Sequence, residues 1–94
     1  SQDGLVVVCI TLSSMDGSLL TEPDIISRGF IYMKDNEDLI IESKAIVKNI
    51  IDNIKHRNHR DWSYIKNEVR HHLKDYLYAK TKRNPMILSM IIEV

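Results

Sequence analysis

The alternation of apolar and polar positions divides the chain into five segments. Residues Gly4 to Leu12 (GLVVVCITL) carry no charge and are rich in β-branched side chains. So short a run reads as a strand, and because apolar residues fall on both parities it reads as a central strand covered on two sides. It is predicted from Leu5 to about Ser13. Asp16-Gly17 between apolar runs is a hairpin signal, and Leu19-Leu20-Thr21 begins the return arm. Pro23 cannot donate to a ladder, so a break or an edge position is expected there. Ile25 to Met33 (IISRGFIYM) is the predicted second strand, with Gly29 marking a bulge or a close backbone approach.

Beyond it the apolar period changes from two to about four. Asp35 or Asn36 is placed to cap a helix, Glu37 and Asp38 suit its first turn, and Val47, Ile50, Ile51 and Ile54 follow i, i+3, i+4, i+7 spacing. Leu39, Ile40 and Ile46 widen that stripe, and the helix is predicted to run to about Lys55. A basic connector, His56 to Arg60, leads to Asp61, the expected N-cap of a second helix reaching about Lys82. Its apolar stripe is Trp62, Ile65, Val69, Leu73, Tyr76 and Leu77. Pro85 pushes Asn84 out of the helical region, and Met86 to Val94 (MILSMIIEV) is the third strand.

The expected fold class is therefore α/β in the wider sense (α+β), in the order β-β-α-α-β: a three-stranded sheet with two helices on one face, residues 1–94 forming one domain. The first strand is placed at the centre and the last strand parallel to it. In the third strand Met86, Leu88, Met90 and Ile92 point one way, and Ile87, Ile91 and Val94 the other. Two helices cover one face only, so the opposite face is expected to expose an apolar patch of the kind used for interaction. Met90, Ile91 and Ile92 are the interface candidates.

Charge narrows the reading. Thirteen Lys and Arg balance thirteen Asp and Glu, so a strong nonspecific polyanion binder is not indicated by the whole chain. A local patch stands out nevertheless. Arg70, Lys74, Lys80, Lys82 and Arg83, beside Tyr78, make the end of the second helix basic. They are the candidate contacts to nucleic-acid phosphates, against ordinary complementarity to the helix dipole. Cys9 is the single cysteine and sits within the apolar run, which reads as a small buried hydrophobe; the lack of disulfides fits a reducing, cytoplasmic setting. No run of apolar residues is long enough to span a membrane, and none is expected as a partner. The chain opens without Met and enters a strand almost at once, as a piece of a longer protein would.

No nucleophile, phosphate-binding or zinc-protease motif is present, and no catalytic residue is assigned. His56 and His59, followed by Asp61, offer two residue types of a zinc site, but a structural site wants four ligands and usually Cys, so surface histidines are the better account. His71 and His72 are adjacent on a helix and diverge by about 100°. No metal site is assigned.

Three stretches, DGLVVVCITL, PDIISRGFIYM and TKRNPMILSMIIEV, with Trp62 after Asp61, resemble the C-terminal domain of bacterial ribonuclease J, of the metallo-β-lactamase/β-CASP RNA-processing family. The similarity spans essentially the whole chain. It implies a C-terminal accessory domain of a longer enzyme, a 5′-to-3′ exonuclease that also cuts internally and acts in mRNA decay and rRNA maturation. It implies zinc held by an H-x-H-x-D-H motif in a separate catalytic domain; His56-Arg57-Asn58-His59-Arg60-Asp61 is not that motif, and no cofactor is expected here. It implies the parent's other domains and further copies of the chain as partners, RNA reached through the parent, and a supporting role in oligomerisation and activity.

Overall fold

The structure, a computed structural model, describes residues 2–56 and 61–94, the side chains of Lys55 and His56 excepted. Among these residues six elements follow one another: β1 (Leu5–Leu12), β2 (Asp24–Arg28), α1 (Ile31–Lys34), α2 (Glu37–His56), α3 (Trp62–Thr81) and β3 (Met86–Glu93). The sheet order is β2-β1-β3. β1 lies at the centre, antiparallel to β2 and parallel to β3.

The strict alternation of burial along β1 shows how the sheet is used. Val6, Val8, Ile10 and Leu12 are buried, while Leu5, Val7, Cys9 and Thr11 are half-buried. The buried parity meets the core ridges of the two long helices: Leu39, Val47, Ile51 and Ile54 from α2, and Ile65, Val69, Leu73 and Leu77 from α3, with Ile87 from β3. Both helices thus pack on one face, which removes their apolar stripes from water.

Local sequence sets the ends of these elements. The carboxamide of Asn36 accepts from the Leu39 amide at 3.0 Å and caps α2. Asp61 accepts from the amides of Ser63 and Tyr64, satisfying two donors that the first turn of α3 leaves without helical partners. At the other end Lys82 turns the chain in the left-handed region (φ 60°), its amide donating to the Tyr78 carbonyl at 2.8 Å. The hairpin after β1 closes at Asp16-Gly17, where the Ser13 amide donates to the Ser18 carbonyl at 2.8 Å.

The second strand is shorter than its sequence suggests. It ends at Arg28, and residues 31–34 form a helical turn instead of continuing to Met33. Gly29 has φ of +72° and carries the chain over the sheet edge. Phe30 and Met33, one helical turn apart, then enter the core together. Trp62, assigned to the apolar stripe of α3, is instead exposed, because it stands at the first helical position, off the ridge that faces the sheet. Val94 lies beyond the end of β3 and is exposed rather than turned inward.

Candidate functional site

The two patches singled out by sequence occupy different places. The first is the face of the sheet away from the helices. Strand pairing arranges it in rows: Arg28–Leu5–Met86, Ile26–Val7–Leu88, Asp24–Cys9–Met90 and Thr11–Ile92. Ile26, Met86, Leu88, Met90 and Ile92 are each about half exposed. Met90 and Ile92 belong to this surface. Ile91, the third interface candidate, does not: it pairs with Ile10 on the helix-covered parity and packs against the core, so a partner on the open face does not reach it. Cys9 also lies on the open side, half-buried between Asp24 and Met90, rather than sealed in the interior. Asp24 and Arg28, the charged positions in these rows, are not evident from sequence, since only the register of β2 against β1 puts them there.

The second patch is the surface of α3. Three of its i+4 rows matter here. Ile65, Val69, Leu73 and Leu77 make the buried row. A second row, Glu68, His72, Tyr76 and Lys80, turns toward α2: His72 lies 3.6 Å from Glu68, the Tyr76 hydroxyl donates to the Glu42 carboxylate, and Lys80 approaches the same carboxylate at 3.9 Å. Burial and the charge of Glu42 push the Tyr76 phenol well above its usual range. The third row runs beside β3. There Arg70 and Lys74 line a groove of about 490 Å³ with Asn84, Met86 and Ile87, and the Ser89 hydroxyl donates to the Lys66 carbonyl at 3.4 Å.

The five expected RNA contacts are therefore not one cluster. Arg70 and Lys74 share the β3 flank. Lys80 sits on the α2 flank, engaged by an acid. Lys82 and Arg83 follow the helix, with Lys82 over the Tyr78 ring at 5.2 Å and Arg83 over the Tyr32 ring at 5.9 Å. Lys66, one turn before Arg70, is exposed and shares its flank; the four-residue spacing carries that signal, although Lys66 stands outside the expected set.

The histidine connector, His56 to Arg60, lies outside the described residues and side chains, and with it the His56/His59 pair. Among the described residues no three His, Cys, Asp or Glu side chains converge as metal ligands. The Nε2 atoms of His71 and His72 face different carboxylates, Asp75 at 3.7 Å and Glu68 at 3.6 Å. Among the same residues no helix is long and apolar enough to cross a membrane.

Comparison with known proteins places this architecture. The sequence model of the Ribonuclease J C-terminal domain matches residues 1–94. The chain is 40% identical to Ribonuclease J2 of Bacillus subtilis (strain 168) over 94 residues, all of this chain and 17% of that protein. It is 34% identical to Ribonuclease J 2 of Streptococcus pyogenes serotype M3 and 33% identical to Ribonuclease J 2 of Staphylococcus aureus (strain NCTC 8325 / PS 47), again over its whole length and 17% of theirs. It thus spans about a sixth of the length of these relatives. With a family match over every residue, the chain belongs to the ribonuclease J C-terminal domain family.

Proposed function

We propose that the chain is the assembly domain of a ribonuclease J-type enzyme. By itself it contributes no catalytic group; it holds copies of the parent together and so supports a zinc-dependent 5′-to-3′ exonuclease and endonuclease acting in mRNA decay and rRNA maturation. The observation that carries this reading is the open face of the sheet. Fully burying one Leu, Ile or Met side chain is worth about 1.5–3 kcal/mol. A contiguous set of half-exposed ones is a surface that association would cover.

The occupant that fits best is a second copy of the same face. Arg28 and Asp24 lie on one edge strand with Ile26 between them, in the outer two of three successive rows. A two-fold axis lying in the interface along the Ile26–Val7–Leu88 row sets Arg28 of one copy over Asp24 of the other, and the reverse. The apolar residues of the rows meet across a layer about 10 Å thick. A surface that is self-complementary in both charge and apolarity is what an isologous contact requires.

Sedimentation across concentration tests this. The unmodified chain is expected to associate, and Met90→Lys to be folded and monomeric. Ile91→Lys on the helix-covered face should instead lower stability, since it forces a charge into the core. Arg28→Asp should weaken the assembly and Arg28→Asp with Asp24→Arg should restore it. A Met90→Lys variant that associates as strongly as the unmodified chain excludes this face.

A further inference from the structure

The third row of α3 continues past Arg70 and Lys74 in both directions. Trp62, Lys66, Arg70, Lys74, Tyr78 and Lys82 recur every fourth residue, and all six are exposed. Residues four apart are neighbours on a helix surface, so these side chains form one ridge, three cations between two aromatic rings, with a fourth cation at the helix end. Trp62 and Tyr78 stand about 24 Å apart along the axis, at about 1.5 Å per residue.

The ridge is segregated in charge within a chain of zero net charge. None of its members is acidic. The acids of the neighbouring helix, Glu37, Asp38, Glu42 and Asp52, belong to α2, and Glu42 engages the opposite flank of α3 through Tyr76 and Lys80. Asp75, the acid nearest the ridge in sequence toward its C-terminal end, faces His71 at 3.7 Å. Arg70 donates to the Asn67 carboxamide at 3.1 Å, a neutral partner that leaves its charge uncompensated. On its other side the ridge borders the groove above the start of β3, which is on the flank of the sheet and clear of the open face's centre.

From this arrangement we infer that the α3 ridge binds single-stranded RNA, with Lys66, Arg70 and Lys74 on successive phosphates and the rings of Trp62 and Tyr78 stacking on bases at either end. Cations at regular intervals follow a backbone irrespective of sequence, and exposed aromatic rings accept any base. A protein partner of acidic character would satisfy the cations but leave the two terminal rings without a role. The choice of RNA rests on the reading of the chain as part of a ribonuclease; the ridge itself is independent of the open face and of assembly.

The probe is a fluorescein-labelled oligouridylate of about twelve nucleotides, titrated with the chain and with the full-length parent between 50 and 200 mM salt. Three phosphate contacts give a slope of about −2 in log affinity against log salt, close to a twenty-fold loss over that range. Trp62, the only tryptophan, should be quenched on binding. Lys66→Ser/Arg70→Ser/Lys74→Ser should weaken binding at least tenfold and flatten the slope. Tyr78→Ala should weaken it about fivefold with the slope kept. Lys34→Ser/Lys48→Ser/Lys80→Ser removes the same charge from other surfaces and should stay within twofold. Equal losses in the two triple variants, an unquenched Trp62, or equal displacement of the oligonucleotide by polyglutamate would each overturn the assignment. Sedimentation of the ridge variant separates this from assembly: loss of RNA binding with association intact is the expected pattern, and association lost with RNA binding kept refutes the ridge.

Discussion

Gly4 and Gly29 meet back to back where the chain enters β1 and leaves β2. A Cβ built on Gly4 would lie 2.5 Å from the Gly29 carbonyl carbon and 2.6 Å from the Phe30 nitrogen, both backbone atoms. The two residues have φ of +95° and +72°, which side-chain-bearing residues rarely adopt. This contact lets the second strand stop at Arg28 and the chain turn over the edge, so that Phe30 and Met33 reach the core. Gly4→Ala should therefore lower unfolding stability by about 3 kcal/mol, combining backbone strain with a clash that no rotamer relieves. Urea denaturation followed by far-ultraviolet circular dichroism measures it; an unchanged midpoint would mean that the two backbones can separate at little cost.

Ser43 is fully buried in α2, and its hydroxyl has no hydrogen-bond partner among the described residues. It sits one turn from Leu39 and one turn from Val47, both core residues. A hydroxyl buried without a partner costs about 1–3 kcal/mol by mutational measures, and alanine is also the better helix former. Ser43→Ala is expected to raise stability by about 1 kcal/mol. A lower urea midpoint would show instead that the hydroxyl contributes a bond in solution.

Tyr76 gives the fold a dependence on alkaline pH. Burial first, and then the hydrogen bond to Glu42 and its charge, raise the phenol's pKa in the folded chain above the unfolded value near 10. The proton is thus held more tightly when folded. This contribution to stability is complete below about pH 10 and is lost as the pH rises beyond it toward the folded value. In a spectrophotometric titration Tyr76 should give a late ionisation step, together with loss of helix signal. Tyr76→Phe should remove that late step and shallow the fall in stability above pH 10; a titration unaltered by the substitution would dissociate Tyr76 from the alkaline transition.

Much of the architecture was legible because local rules carried it. An uncharged β-rich run, an Asp-Gly turn, caps at Asn36 and Asp61, and four-residue apolar spacing each act within a few residues, and each produced the element expected. The central place of β1 followed from its apolar residues on both parities, and its parallel pairing with β3 from that central placement. The family resemblance rested on short specific runs, and these too are local. Where the reading failed, at the end of β2, an alternating pattern continued across Gly29, and only the backbone contact with Gly4 shows why the strand stops.

The sequence by itself determined the order of the strands and the two long helices, most residues of the core rows and the presence of more apolar strand surface than two helices can cover. Tertiary structure alone decided which side each surface residue serves. The register of β2 against β1 brought Arg28 and Asp24 onto the open face, and the parity of β3 turned Ile91 away from it. The rotation of α3 about its buried row divided the basic residues, sending Lys80 toward Glu42 and leaving Lys66, Arg70 and Lys74 together beside β3. The physical reason is that a helix or strand has one apolar side fixed by its own period. The neighbours of every other side are chosen by how that one side docks.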